Sequence, residues 1–237
     1  MNEHRDISIG RKLWKEWRLV LLFAVMFIGF RSAVADWYVV PTGSMQPTIL
    51  IGDRVFVSRL AYDVKIPFSS IVVDRNADPQ RGDLAVFASP YSDEQLIKRV
   101  IGLPGDVIEV RDDRVIINGE VSQYTADGEF AAAIRTQDFS LDADRYIERL
   151  PEIEHPILQV PNVNVPRSFA PVTVPADHYF MMGDNRNNSK DSRSYGPVPR
   201  ELLIGRATGV VWSLDSADSW NPRDWDFRGE RLFEPLN

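Results

Sequence analysis

QLIKRVIGLPGDVIEVRDDRVIING, Gln95 to Gly119, is the stretch that decides the fold class. Short runs rich in valine and isoleucine alternate in it with turn residues, which is typical of β-strands. The second half predicts a β-hairpin over Asp106–Gly119 with Asp112 and Asp113 at its turn. The first half carries a lysine, Lys98, inside its apolar run.

The same pattern recurs on both sides of this stretch. None of these runs approaches the 3.6-residue period of a helix, so the fold class is mainly β. One helix is predicted in this part of the chain, over Ser140–Leu150. The further predicted strands are Arg54–Tyr62, Asp83–Ser89, Gln95–Leu103, His178–Asp184 and Ile204–Leu214.

Composition bounds the classes of function. The chain has 237 residues, and its 44% hydrophobic content is ample for a packed core. A formal net charge of −7 disfavours a nucleic-acid partner, because binding to the phosphate backbone needs a basic face. The absence of cysteine excludes disulfides, thiol nucleophiles and Cys-ligated metals.

The N-terminus contains an apolar run, Leu19–Phe30, between Arg18 and Arg31. Extended to residues 14–35, a helix would be about 33 Å long, enough to cross a bilayer if both arginines reach toward the interfaces. We therefore predict a transmembrane anchor over 14–35. The basic residues before it predict a cytoplasmic segment over 1–13 and translocation of all that follows.

A cleavable signal peptide is the alternative interpretation of this segment. Ala33 and Ala35 form an A-x-A arrangement after the apolar run. The charge of Arg31 between the run and this arrangement favours a retained anchor. We hypothesise that Arg31 and a helical continuation toward Trp37 keep the site from being cut.

PTGSMQPTIL, Pro41–Leu50, places Ser44 in a stiff turn shaped by Gly43 and prolines. A nucleophilic serine needs a base, and the chain has only 3 histidines. The remaining candidates are a carboxylate or a lysine made neutral by burial, which must lower its pKa by several units. Lys98 suits this role, although its local context alone favours a solvent-facing lysine.

Five motifs together carry a resemblance to a known family. PTGSMQPTI, GDRVFV at Gly52, RGDLAVF at Arg81, IKRVIGLPGD at Ile97 and GDNRNNSKDSR at Gly183 stand in the order of the boxes of bacterial type I signal peptidases. The chain resembles these membrane-anchored Ser/Lys proteases from about residue 30 to about residue 214. They remove signal peptides from exported proteins.

The resemblance implies an architecture and a setting. It implies coiled antiparallel sheets with a catalytic domain over 36–119 and 177–237 and an inserted cap over the proline-rich 120–176. It implies a single-pass protein of the bacterial inner (plasma) membrane, with the catalytic domain on the periplasmic side. Its partners would be the lipid bilayer and signal-peptide-bearing preproteins that are cut after small residues (A-x-A). The enzyme would be monomeric and use no metal or cofactor.

The resemblance also assigns roles to residues. Ser44 would be the nucleophile, Lys98 the general base and Thr42 the oxyanion donor. Ser189 would orient Lys98, Asp191 and Arg193 would form an ion pair, and Asp184 would lie near Arg99. Met45, Ile49 and Ile97 would line a small apolar pocket.

Two other classes of function compete with this interpretation. Self-cleaving transcriptional repressors use a related Ser/Lys site, but they carry a DNA-binding domain where this chain has its apolar segment. A catalytically idle, membrane-tethered β domain that binds a partner is the second rival. In the C-terminal segment, Trp220 and Trp225 would be either part of a packed tail or a contact with the membrane surface.

Overall fold

The computed structural model describes residues 14, 16–29, 34–66, 69, 71–127, 132–135, 140–160, 167–215 and 225–236. Helix α1 covers residues 16–29, α2 is Ser192–Tyr195, and short 3-10 turns cover Gly43–Met45, Arg200–Leu202 and Gly229–Arg231. In chain order the strands are β1 Ala35–Val39, β2 Asp53–Ser58, β3 Asp63–Lys65, β4 Val72–Arg75, β5 Leu84–Ala88, β6 Gln95–Gly102, β7 Val107–Arg111, β8 Arg114–Ile117, β9 Glu120–Val121, β10 Gln123–Ala126, β11 Ala132–Arg135, β12 Ser140–Leu150, β13 Ile153–Gln159, β14 Phe169–Thr173, β15 His178–Met182, β16 Val198–Pro199, β17 Leu203–Asp215, β18 Asp226–Phe227 and β19 Glu234–Pro235.

The largest sheet is antiparallel and curled. Its strand order is β1-β2-β17-β5-β6-β15-β16, and β18 and β19 attach to β17. The long strand β17 shows bulges against both β2 and β5, and bulges bend a strand and increase its twist. The expected mainly β class with antiparallel sheets is confirmed, and the strands predicted outside the hairpin are present as β2, β5, β6, β15 and β17.

Side chains along strand β2 alternate between buried and more exposed positions. In β2, Val55 and Val57 are fully buried while Phe56 between them faces outward. Their cluster includes Met45 and Ile49 from the turn that precedes β2. The buried face of β2 therefore packs against the turn that contains Ser44.

Three smaller sheets complete the described fold. One has the order β14-β7-β8-β9, the second pairs β12 with β10, β11 and β13, and the third is the β3–β4 hairpin. Strands from the predicted cap, 120–176, are thus shared between two sheets, because β9 and β14 join β7 and β8. A separate hydrophobic cluster that includes Ile108, Ile117 and Phe180 packs beneath the β7–β8 pair.

The hairpin predicted over Asp106–Gly119 is confirmed. Arg111 pairs with Arg114 at the end of the β7–β8 ladder. The two residues between them, Asp112 and Asp113, have φ of 49° and 63°. Two consecutive positive φ angles are typical of the type I′ turn that matches the twist of paired strands.

The helix predicted over Ser140–Leu150 is wrong, because these residues form strand β12. Glu148 and Leu150 are buried with exposed Arg149 between them, which is the period of a strand. Seven residues of β12 pair with β13, from Asp144 to Leu150. Pairing along both edges overrides the local helix propensity of these side chains.

Chain continuation after α1 also differs from the expectation. Helix α1 exposes apolar side chains such as Leu19 and Phe23. No helix among the described residues is both long and apolar enough to cross a membrane. The helical continuation toward Trp37 is wrong, because Ala35–Val39 is strand β1, held by pairing with β2.

Several predictions fall on residues outside the described ranges. These are the segment 1–13, Arg31 and Ala33 near the end of the predicted anchor, and Trp220 in the C-terminal segment. Trp225 is described, and 42% of its surface is exposed.

Candidate active site

Ser44 lies in a short turn between two neighbouring strands of the main sheet. The turn is one round of 3-10 helix over Gly43–Met45, and the preceding Thr42 has an extended backbone. Backbone hydrogen bonds between Val40 and Asp53, and from Gly52 to Val40, close the base of the loop. The β1–β2 pair therefore fixes both ends of the segment that carries the serine.

Lys98 reaches this turn from strand β6. Its Nζ lies 2.6 Å from Ser44 Oγ and 3.1 Å from the carbonyl oxygen of Ile97. The lysine is only 3% exposed. The fold thus joins two residues that are 54 positions apart in the chain.

Burial changes the acidity of this lysine. Desolvation lowers the pKa of Lys98 from 10.5 to about 8, with a smaller effect in the same direction from Arg193. The carboxylates of Asp191 and Asp184 oppose the decrease. At pH 7 about one molecule in ten would carry a neutral Lys98, against about one in three thousand for an ordinary lysine. The amine can therefore act as a base near neutral pH.

A cavity of about 330 Å³ opens in front of Ser44 and Lys98. Most of its other walls are aliphatic. Met45 and Ile49 do not line it; both are fully buried in the cluster behind the turn. The lining residues are Tyr38, Val39, Val40, Pro41, Thr42, Ser44, Val55, Val57, Val86, Glu94, Gln95, Leu96, Ile97 and Lys98.

The loop after β15 packs behind the two residues and begins with a buried ion pair. Asp184 receives two hydrogen bonds from Arg99, of 3.0 and 2.9 Å, and one of 2.5 Å from Thr48. Burial alone would raise the pKa of Asp184, but Arg99 and His155 outweigh it and hold the pKa far below its ordinary range. Because Thr48 follows the Ser44 turn, this pair fastens the turn to β6.

The end of the same loop contains a second ion pair. Arg193 donates to both carboxylate oxygens of Asp191, at 2.8 and 2.7 Å, and Asp191 also accepts from the Gly183 N–H at 3.0 Å. Ser189 packs against Gly183, but its hydroxyl makes no hydrogen bond with Lys98 in this structure. The hydrogen bond between Gly183 and Asp191 joins the two ends of the loop, and Gly183 lies directly beside the Ser44 carbonyl.

Sequence reasoning missed the contribution of the 120–176 segment. Glu148 forms a two-point ion pair with Arg186, and His155 Nε2 lies 2.9 Å from Glu148. His155 Nδ1 lies 3.3 Å from Asp184, so this buried polar cluster connects the β12–β13 hairpin to the loop behind Ser44. In a strand, Glu148 lies on the same face as Leu150. Predicting Ser140–Leu150 as a strand would therefore have placed a buried carboxylate in this segment and indicated that it needs a basic partner.

Comparison with known proteins identifies the family of this chain. The family described as "Signal peptidase, peptidase S26" matches residues 14–212. The chain belongs to this family. Members of peptidase S26 are serine peptidases, and the chain is therefore an enzyme of that type.

Individual S26 relatives are similar over most of their length. The chain is 38% identical to signal peptidase I of Pseudomonas fluorescens, across 88% of this chain and 78% of the relative. It is 36% identical to the Pseudomonas aeruginosa enzyme over the same shares. A crystal structure of an Enterococcus faecalis signal peptidase I is 29% identical and covers 56% of this chain and 98% of its own. Its TM-score is 0.33, too low for a conclusion about the fold.

Proposed function

We propose that this chain removes N-terminal signal peptides from exported preproteins, with Ser44 as nucleophile and Lys98 as general base. The observation that carries the proposal is the 2.6 Å separation of Lys98 Nζ and Ser44 Oγ beside a largely aliphatic cavity. A serine activated by a neighbouring amine needs that amine neutral, and the buried position of Lys98 favours the neutral form.

Acylation begins when neutral Lys98 takes the hydroxyl proton of Ser44. The Ser44 oxygen forms a bond to the carbonyl carbon of the residue before the cut, and the carbonyl oxygen becomes an oxyanion. The Thr42 hydroxyl and the Ser44 N–H would donate hydrogen bonds to it, and such a donor typically contributes about 10²–10³ in rate. The carbon–nitrogen bond then breaks, and the Lys98 ammonium returns a proton to the leaving amine.

Deacylation repeats these roles with water as the nucleophile. Lys98, again neutral, takes a proton from water while the water oxygen attacks the ester carbon. The ester bond breaks, Ser44 regains its proton from Lys98, and the signal peptide leaves with a free carboxyl group. No other group is consumed.

The cavity favours small residues before the cut. Its walls bring valines from β1, β2 and β5 close to Ser44, together with Ile97 from β6. An aliphatic pocket distinguishes side chains mainly by volume, and one methylene changes the rate by about 10–200-fold. We propose alanine at the residue before the cut and at the third residue before it.

The membrane assignment concerns the segment before β1. We propose a single-pass anchor within residues 14–34, with the N-terminus cytoplasmic and the catalytic domain on the periplasmic side of the inner membrane. The exposed Leu19 and Phe23 of α1 support it. Since β1 follows directly, the substrate cavity would open near the membrane surface, where signal peptides emerge.

The test is cleavage of a purified preprotein by the full-length chain in mild detergent. Ser44→Ala and Lys98→Ala are expected to show no cleavage. Lys65→Ala is the matched control, because burial also lowers the pKa of Lys65 but its Nζ contacts the Leu203 carbonyl, away from Ser44. Cleavage by either of the first two variants would refute the dyad.

A second arm of this experiment tests selectivity. A preprotein with leucine in place of alanine before the cut is expected to be cleaved at least tenfold more slowly. Equal rates for the two substrates would contradict the proposed pocket.

A further inference from the structure

One residue behind the active site contacts the backbone on both sides of Ser44. Asn185 donates from its side-chain Nδ2 to the carbonyl oxygen of Gly43, at 3.0 Å, and from its backbone N–H to the carbonyl oxygen of Ser44, at 3.1 Å. Its side chain is completely buried. Two consecutive carbonyl groups of the turn are therefore held by a single residue from another part of the chain.

These contacts determine the orientation of Ser44. The carbonyl of Gly43 and the N–H of Ser44 belong to one planar trans peptide group and point in opposite directions. Holding the carbonyl toward Asn185 therefore directs the N–H of Ser44 away from the interior. The bond to the Ser44 carbonyl fixes the next peptide plane as well. With both planes fixed, the direction of the Ser44 side chain from its Cα is fixed too.

The position of Asn185 is itself defined by backbone pairing with the 120–176 segment. Leu158 of β13 receives a hydrogen bond from the N–H of Arg186 and donates its own N–H to the carbonyl of Asp184, both at 2.9 Å. Asn185 lies between these two contacts as the partner of Leu158 in a parallel bridge. The β12–β13 hairpin thus supports Asn185 from behind.

We propose that Asn185 is a positioning residue of the peptidase reaction, and that its amide holds the Gly43–Ser44 peptide so that the Ser44 hydroxyl faces Lys98 and the Ser44 N–H faces the developing oxyanion. This inference rests on the proposed roles of Ser44 and Lys98. It makes the loop GDNRNNSKDSR part of the reaction geometry through its third residue.

The test variant is Asn185→Leu, which keeps the branched shape of the side chain and removes the Nδ2 donor. Misplacement of reacting groups by a fraction of an ångström to an ångström costs about tenfold to a hundredfold in rate, so kcat should fall by that factor. KM should stay within about twofold, because no substrate contact is removed. The matched control is Asn188→Leu, the same substitution at an exposed position of the same loop, with kcat expected near wild type.

A second control separates positioning from general destabilisation. Ile117→Val removes a methylene from the cluster beneath β7 and β8, away from Ser44, and lowers thermal stability without touching the loop. If this variant loses kcat to the same extent for an equal loss of Tm, the proposal is overturned. Asn185→Ala, which removes the donor without adding an apolar group or a charge, replaces the leucine variant if that one does not fold, with the same decrease in kcat expected.

Ser44→Ala and Lys98→Ala, assayed in parallel, keep the two levels of inference apart. Cleavage by either of them refutes the dyad. If both are inactive and Asn185→Leu keeps a wild-type kcat, only the role of Asn185 is refuted.

Discussion

Lys98 should cost the protein stability at neutral pH, and Lys98→Met should recover it. The side chain is 3% exposed, and its pKa falls from 10.5 to about 8 on burial. A lysine with a lowered pKa in the folded state is charged below that pKa in an environment that disfavours the charge. Methionine has a similar length, fills the same space and carries no charge, while the enzyme loses its base.

The magnitude follows from the two pKa values. Their difference, 10.5 minus about 8, corresponds to about 3 kcal/mol of unfolding free energy at about 1.4 kcal/mol per pH unit. Between pH 8 and 10.5 the unfolded chain binds more protons at Lys98 than the folded chain, so the stability of the wild type rises with pH in this window. Methionine leaves Ser44 Oγ and the Ile97 carbonyl without the lysine donor, which offsets about 1 kcal/mol for each.

Urea unfolding of both proteins from pH 6 to pH 10 measures this effect, because all other titrating groups cancel in the difference. At pH 7 the methionine variant should be more stable by about 1–2 kcal/mol. This advantage should shrink and then reverse as pH rises, changing by about 3 kcal/mol in total, with most of the change complete by pH 10. A difference that is constant with pH, or that grows in favour of methionine, would refute the assignment of a lowered pKa to Lys98.

Two more substitutions probe the loop and the buried charges. Gly183→Ala would place a Cβ 2.5 Å from the Ser44 carbonyl oxygen, and kcat for the preprotein should fall by about a hundredfold or more; a variant with wild-type kcat would contradict the close packing. Glu148→Gln leaves Arg186 buried without its counter-charge, and urea unfolding should show a loss of about 3–5 kcal/mol. Glu154→Gln, in an exposed ion pair of the same hairpin, should lose less than about 1 kcal/mol; equal losses for the two would show that the buried pair has no special weight.

The sequence supports predictions where the signal is local or where a motif carries it. The apolar, β-branched run bounded by turn residues predicts β6, and the adjacent aspartates predict the turn of the β7–β8 hairpin. The pairing of Ser44 with Lys98 is not readable from spacing, because 54 residues separate them. Before the structure is known, only the resemblance of the ordered motifs to a known family indicates that Ser44 and Lys98 act as a pair.

Long-range pairing accounts for what sequence reasoning missed. The helix assigned to Ser140–Leu150 follows from local propensity, whereas β13 and β10 decide the outcome. Asn185 contacts Gly43 across 142 positions, and no pattern around either residue indicates the contact. The residues that line the pocket are also hard to predict from sequence, because an apolar side chain such as Met45 can face either a cavity or the hydrophobic core.

Lys98 and Arg99 are neighbours on β6, so the register of this strand determines which of the two side chains reaches Ser44. They face Ala85 and Leu84 on β5, and their side chains serve different sites, one beside Ser44 and one against Asp184. A slip of one residue, about 3.3 Å, would exchange their faces. A slip in one direction would place Arg99 beside Ser44, and a guanidinium cannot be deprotonated in a protein. A slip in the other direction would place Ile97 beside Ser44 and bring the Lys98 amine to the Asp184 carboxylate, which keeps it protonated. A sheet with this misalignment would be folded but inactive. The buried Arg99–Asp184 ion pair forms only in the native register, so it stabilises the alignment that places Lys98 beside Ser44.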